Sequence, residues 1–61
     1  MGVTAEQAKE FARMILEQKM EMPEYLAHYS KEFIGRMVKR LSDLTEVEAE
    51  TWIRKYNRQK S

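Results

Sequence analysis

Apolar residues recur along this chain at steps of three, four and seven, the spacing that lines one face of an α-helix. In the first third of the chain this face consists of Ala8, Phe11, Ala12, Ile15 and Met22. In the last third it consists of Ala49, Trp52, Ile53 and Tyr56. No segment alternates apolar and polar residues with β-branched enrichment, so the pattern predicts helices and gives strands no support.

Two segments carry the signature of a helix N-terminus. Thr4 is followed three residues later by Gln7, and Thr45 by Glu48, which is the spacing of a capping box. Val3 with Ala8, and Leu44 with Ala49, stand at the positions of a hydrophobic staple. These signals predict helices over residues 4–20 and 45–59.

A third helix is predicted between them, over residues 23–42. Pro23 suits the first turn of a helix, where its missing N–H costs nothing, and Glu24 favours the positive end of the helix dipole. Gly35 would lie inside this helix, so we expect either a bend there or the close approach of another backbone. The predicted apolar stripe is wider than one seam, as expected for a central helix that touches two neighbours. It comprises Leu26, Ala27, Ser30, Phe33, Ile34, Met37, Val38, Leu41 and Leu44.

The fold class that follows is all-α, a small three-helix bundle formed by a single domain over residues 1–61. A chain of this length buries only about 60% of the surface that its unfolded form exposes, so its stability margin is thin. There is no cysteine and a single histidine, His28, which excludes disulfides and thiolate metal sites. We therefore expect no metal and no cofactor.

Charge and hydropathy narrow the class of protein further. The formal net charge is +1, from 11 basic and 10 acidic residues. Residues 1–30 carry three basic and five acidic side chains, and residues 31–61 carry eight and five. No segment has the roughly 18 unbroken apolar residues of a membrane span, and the N-terminus lacks the pattern of a signal peptide. We expect a cytoplasmic protein that does not bind membranes.

The basic C-terminal half raises the hypothesis of DNA binding. A short turn at Ser42-Asp43-Leu44 would join the second and third helices as in a helix-turn-helix, whose second helix enters the major groove. Basic side chains would contact guanine edges or phosphates, and an amide would contact adenine. The candidate residues are Arg36, Lys39, Arg40, Arg54, Lys55, Asn57 and Arg58. A continuous basic face would favour this hypothesis, and interleaved acidic residues would count against it.

Residues 41–60 resemble the end of a homeodomain. The likeness rests on Leu44-Thr45-Glu46, on Trp52-Ile53 and on the basic residues that follow. It covers about a third of the chain and implies a recognition helix that reads DNA. Lys55 stands where the family has its adenine-reading asparagine, and residues 1–40 lack the family's basic N-terminal arm. The chain therefore shares helix-forming signals with this family but lacks the residues that are most specific to it.

Large flexible apolar residues between positions 14 and 29 raise a second hypothesis, that of protein–protein binding. Methionine is over-used on surfaces that must accommodate partners, and tyrosine and methionine are enriched at interfaces. We expect Gly35 to admit a neighbouring helix, and a second copy of the chain is the simplest neighbour. Met37, by contrast, is expected in the core. The candidate contact residues are Met14, Leu16, Met20, Met22, Tyr25, Tyr29 and Gly35.

Catalysis has little support in the sequence. No Gly-rich phosphate loop, nucleophile elbow or metal-ligand spacing is present. Glu17 and Glu21 lie one helical turn apart, but three short helices offer little volume for a water-poor site. The leading hypothesis is a small non-enzymatic regulatory or adaptor protein that binds another protein, or itself as a homodimer, through its helices. A DNA-binding transcriptional regulator is the alternative.

Overall fold

The computed structural model describes residues 2–60, which form three helices packed around one core. Helix α1 spans Ala5–Gln18, α2 spans Met22–Ile34 and α3 spans Glu46–Lys60. A single 3-10 turn, Leu41–Asp43, lies between α2 and α3. Each helix packs against both others, and no strand occurs within the described range. The predicted all-α three-helix fold is confirmed.

The two predicted capping boxes are present. At the start of α1 the Gln7 N–H donates to Thr4 Oγ1 at 3.1 Å, and the Thr4 N–H donates back to Gln7 Oε1 at 3.0 Å. At the start of α3 the Glu48 N–H donates to Thr45 Oγ1, and the Thr45 N–H donates to Glu48 Oε1, both at 3.1 Å. Each box satisfies two backbone N–H groups, one at the cap residue and one in the first turn. The starts of α1 and α3 are therefore fixed by local sequence.

The turn between α1 and α2 is short. Lys19 ends α1 in the left-handed conformation, with φ of 58°, and its N–H donates to the Leu16 carbonyl at 3.0 Å. Pro23 lies in the first turn of α2, as predicted. The Glu21 N–H donates to Glu24 Oε1 at 3.4 Å, which closes the N-terminus of α2.

The predicted extent of α2 is wrong at its C-terminal end. The helix stops at Ile34, and Gly35 is its cap residue, with φ of 78° and its N–H donating to the Lys31 carbonyl at 3.0 Å. Glycine adopts this left-handed conformation without the steric cost that a Cβ brings, so it ends helices readily. No helix approaches at this position, because a Cβ built on Gly35 would meet no atom within 4 Å. Gly35 therefore terminates the helix and does not admit a partner.

The eleven residues between Ile34 and Glu46 form what we call the connecting segment, residues 35–45. Helix–helix connections in bundles usually have about two to eight residues, so this one is long. Val38 and Leu44 are buried in the core even though neither is helical. Met37, which the helical pattern predicts in the core, is 56% exposed. The helical spacing of apolar residues continues past the point where the helix ends.

Trp52 lies on the apolar face of the third helix, which predicts its burial, and it is fully buried at the centre of the core. Its ring lies 5.2 Å from the ring of Phe11 on α1, and 5.8 Å and 5.3 Å from the rings of Tyr25 and Phe33 on α2. The indole N–H donates to the Tyr25 hydroxyl at 3.2 Å. Burial raises the pKa of Tyr25 to about 12. One side chain thus holds all three helices together.

We predict that Trp52→Ala removes most of the stability of the fold. Truncating a buried tryptophan costs about 3 to 5 kcal/mol, which is comparable to the whole stability of a domain this small. Thermal unfolding followed by circular dichroism checks this. A variant that melts within a few degrees of the parent would show that the packing around Trp52 is described wrongly.

We also predict that Gly35→Ala lowers the free energy of unfolding by about 1 kcal/mol, because an L-residue in the left-handed region is strained. Gly2→Ala is the matched control, since its Cβ would meet only the carbonyl oxygens of Leu44 at 3.8 Å and Ser42 at 4.0 Å, which is ordinary contact. Urea unfolding of both variants tests the difference. Equal stability of the two would mean that α2 continues through Gly35.

Candidate functional site

The residues predicted to contact a protein partner do not form one surface. Met14 and Tyr25 lie in the core and are nearly inaccessible. Both belong to the core cluster, so both are corrected to structural residues. Three more, Met20, Met22 and Tyr29, are half-buried and pack against the core. Leu16, at 78% exposure, and Gly35 are open to solvent, but Leu16 lies on the outer face of α1 and Gly35 caps α2.

The predicted DNA-contacting residues are interleaved with acidic groups. Arg36 pairs with Glu48 at 2.7 Å. Arg40 lies 3.5 Å from the Asp43 carboxylate, and Arg54 lies 3.8 Å from that of Glu50. Separately, Lys55 Nζ donates to the Phe33 carbonyl at 3.1 Å, which closes the C-terminal end of α2. Several of the cations predicted to face DNA are thus engaged within the protein.

The short turn predicted for a helix-turn-helix is not present. The connection between α2 and α3 has eleven residues, whereas the motif joins its helices with about three or four. Lys39 lies exposed in this connection, and Asn57 and Arg58 lie exposed near the end of α3. The candidate DNA-contacting residues therefore belong to two different elements, the connection and α3.

The connecting segment is anchored to α2 through a buried hydroxyl. Ser30 is fully buried, and its Oγ accepts from the Val38 N–H at 3.0 Å. The same hydroxyl donates to the sulfur of Met37 at 3.6 Å. A backbone N–H buried without a partner costs free energy comparable to a lost hydrogen bond, so the serine satisfies a requirement of the irregular backbone. Ser30 thereby fixes Val38 inward and holds the sulfur of Met37 beside it.

A second anchor joins the connecting segment to α3. The guanidinium of Arg36 binds both oxygens of Glu48, with Nε to Oε2 and Nη2 to Oε1 each at 2.7 Å, and also donates to the Asp43 carbonyl at 2.8 Å. The Arg36 guanidinium and the capping hydrogen bonds at Thr45 hold the pKa of Glu48 down, at about 2. A bidentate pair of this kind fixes orientation as well as distance. Glu48 thus joins the capping box of α3 to the connecting segment.

Between these two anchors the chain presents an apolar side chain among cations. Met37 is 56% exposed and is flanked along the chain by the exposed residues Arg36, Lys39 and Arg40. We call these four residues the Met37 patch. The helical spacing predicts Met37 in the core only if α2 continues past Gly35, and it does not. One signal in the sequence could have predicted the exposure of Met37. Lys31 and Ile34 are followed by Gly35, and a glycine after a basic last turn indicates the end of a helix.

The opposite end of the bundle has a network centred on Glu17. Its carboxylate accepts from the Tyr56 hydroxyl at 2.7 Å, from Lys60 Nζ at 2.8 Å and from Arg13 at 3.0 Å. The Lys60 and Tyr56 hydrogen bonds hold the pKa of Glu17 down, at about 2. A cleft of about 100 Å³ next to it reaches Gln18 and Gln59, with Tyr25 and Phe33 as its buried floor. This network ties the end of α1 to the end of α3.

The described residues contain no cluster of three or more histidine, aspartate or glutamate side chains that could hold a metal ion. An open groove of about 310 Å³ lies between α1 and α3. Residues 2–60 include no helix with the length and apolar character needed to cross a membrane. Comparison with protein-family models, with curated proteins and with solved structures found no match. The arrangement of the residues themselves must therefore support any proposal about function.

We predict that Glu48→Gln destabilises the protein at neutral pH and makes its stability less dependent on acid. The folded pKa of about 2 lies below the ordinary value of 4.5, so the ionised carboxylate contributes stability above pH 4.5 that is lost as the pH falls towards 2. Urea unfolding between pH 7 and pH 2.5 measures the effect. Part of the acid dependence should remain in the variant, because the pKa of Glu17 is lowered in the same way.

Glu6→Gln is the matched control for this experiment, since it removes one negative charge from an exposed position in the first turn of α1. If Glu48→Gln and Glu6→Gln gave the same pH dependence as each other, the ion pair between Arg36 and Glu48 would not hold the connecting segment in solution.

Proposed function

We propose that this chain is a non-enzymatic protein-binding module that contacts its partner through the Met37 patch. The observation that carries the proposal is a half-exposed methionine between two anchored residues, Arg36 and Val38, with the exposed cations Lys39 and Arg40 following along the chain. The partner surface that fits it has an apolar depression for the methionine and carboxylates around it. The proposed role is regulatory or adaptor, and a cytoplasmic location remains a prediction.

The composition of the Met37 patch supports a protein partner. Methionine and arginine are enriched at protein interfaces, where an apolar centre is surrounded by a polar rim. The Met37 sulfur accepts from the Ser30 hydroxyl, so the side chain is held at its sulfur while its exposed part can contact an apolar depression of a partner. Long cationic side chains such as Lys39 and Arg40 fit the rim, since they can remain partly solvated while they meet acidic groups. A single exposed apolar residue would carry no argument without this setting.

The anchoring of the connecting segment supports the same proposal. Loops that bind partners are commonly positioned by a rigid scaffold, and a surface ordered before binding loses less conformational entropy on association. Ser30 and Glu48 supply this order here, one beneath the segment and one at the start of α3. The function is thus proposed for an irregular segment that the helices hold in place, and not for a helix face.

Acidic groups beside the patch count against DNA as the partner. Glu48 and Asp43 lie within ion-pair distance of Arg36 and Arg40, so the segment lacks the run of uncompensated cations that phosphate binding needs, whereas the rim of a protein interface does not need such a run. Non-specific DNA binding depends on cations that neutralise phosphates and release counterions. The net charge of +1 over the chain gives that term little support. DNA binding is therefore the alternative that the titration described below can detect.

The test places a photo-crosslinking residue at the patch. Met37→p-benzoylphenylalanine, produced in the cells from which the chain comes, should yield a discrete crosslinked product of defined mass. Adding Lys39→Glu and Arg40→Glu should reduce the yield of this product several-fold, because charge reversal at the rim weakens binding to an acidic partner. Leu16→p-benzoylphenylalanine is the matched control, since Leu16 is an exposed apolar residue on the outer face of α1.

Equal crosslinking from positions 37 and 16, or a yield indifferent to the charge reversal, would contradict the proposal. Titration with random duplex DNA at low salt is the second measurement. Binding at tens of micromolar that is lost in Arg54→Ala with Arg58→Ala would replace the proposed protein partner with DNA, since a DNA reader retains its sequence-independent affinity.

A further inference from the structure

A second surface lies beside the Met37 patch on the N-terminal half of α3. It is the open groove of about 310 Å³ between α1 and α3, and Gln7 closes one side of it by donating from Nε2 to the Glu46 carbonyl at 3.1 Å. Val47 stands in this groove and is 74% exposed. We call it the Val47 groove, and its lining residues are Gln7, Glu46, Val47, Glu50, Thr51 and Arg54.

The helical geometry of α3 makes the two surfaces neighbours. Successive residues of a helix are about 100° apart around its axis, so Val47 lies between Glu48 on one side and Glu50 on the other. Glu48 binds Arg36 of the connecting segment, and Glu50 lines the groove. The Met37 patch, Val47 and the acidic side of the groove therefore follow one another across the same end of the bundle.

The two surfaces are complementary in charge and alike in their apolar centres. The connecting segment carries three basic side chains and one acidic, Asp43, and together with Glu48, which pairs with Arg36, it has a net charge of +1. The groove is lined by Glu46, Glu50 and Arg54, a net charge of −1, and Arg54 engages Glu50 only at 3.8 Å. Each surface has one exposed apolar residue, Met37 in the patch and Val47 in the groove.

We propose that the partner of the Met37 patch is a second copy of this chain, with the patch of each copy seated in the Val47 groove of the other. This inference rests on the proposed function and names its partner. A twofold axis brings both pairs of surfaces together at once, because an interface of this symmetry uses the same surface on both copies. The dimer predicted from Gly35 had a different interface, which the position of Gly35 as a helix cap removes.

The experiment uses two charge-reversed variants of the full chain. One carries Lys39→Glu with Arg40→Glu and has an acidic patch facing an acidic groove. The other carries Glu46→Lys with Glu50→Lys and has a basic patch facing a basic groove. Each alone should weaken self-association at least tenfold, and an equimolar mixture should restore it, because both contacts of the mixed pair join opposite charges. Sedimentation equilibrium at micromolar concentration and low salt measures the masses.

Lys9→Glu with Lys19→Glu is the matched control, with the same charge change at exposed positions of α1 and its cap, and it should associate like the parent. Circular dichroism checks the fold, and the single changes Lys39→Glu and Glu46→Lys replace any double variant that unfolds.

A parent that stays monomeric, variants that associate like the parent, or a mixture that stays monomeric would each overturn the dimer. Masses that grow beyond two copies would overturn the twofold arrangement. If the chain did not dimerise but position 37 crosslinked to a different protein, the proposed function would stand. If the chain neither dimerised nor crosslinked to another protein, the proposed function would be wrong as well.

Discussion

The fold depends on Trp52, the side chain that all of its helices share. Its ring meets Phe11 from α1 and Tyr25 and Phe33 from α2, and its single polar atom is satisfied inside the core by the Tyr25 hydroxyl. A chain of this size has room for one such centre, and without disulfides it has no covalent substitute. The fixed position of α3 against α2 then determines where the connecting segment must cross between them.

That crossing explains why the connection is long and yet ordered. Val38 and Leu44 contribute to the core from non-helical backbone, which exposes backbone polar groups that a helix would have satisfied internally. Ser30 accepts the Val38 N–H, and Arg36 donates to the Asp43 carbonyl while it binds Glu48. Buried side-chain nitrogen and oxygen atoms of the described residues all have partners. The polar anchors therefore follow from the burial of Val38 and Leu44, and the exposure of Met37 follows from the anchors.

The sequence predicts those parts of the structure that local chemistry determines. The two threonine caps, Pro23 in the first turn of α2 and the burial of Trp52 depend on short spacings, and all were predicted. The end of α2 was missed because apolar spacing cannot distinguish a buried helix from a buried loop when both face one core. Gly35 was noticed, but its role as a cap depends on a left-handed φ that composition alone does not reveal. The Met37 patch was missed for the same reason, because Met37 leaves the core only when α2 ends early. The Val47 groove depends on how α1 packs against α3, which the spacing of residues does not determine.

The central claim is that the connecting segment is a fixed surface and not a flexible linker. Backbone ¹⁵N relaxation of residues 36–44 measures this most directly, because it reports motion on the picosecond-to-nanosecond timescale residue by residue. The account predicts order parameters close to those of the helices, about 0.85, with the Val38 amide among the most ordered. Order parameters below about 0.6 across residues 36–40 would contradict it, because a mobile segment could not present Met37 and its cations as one surface.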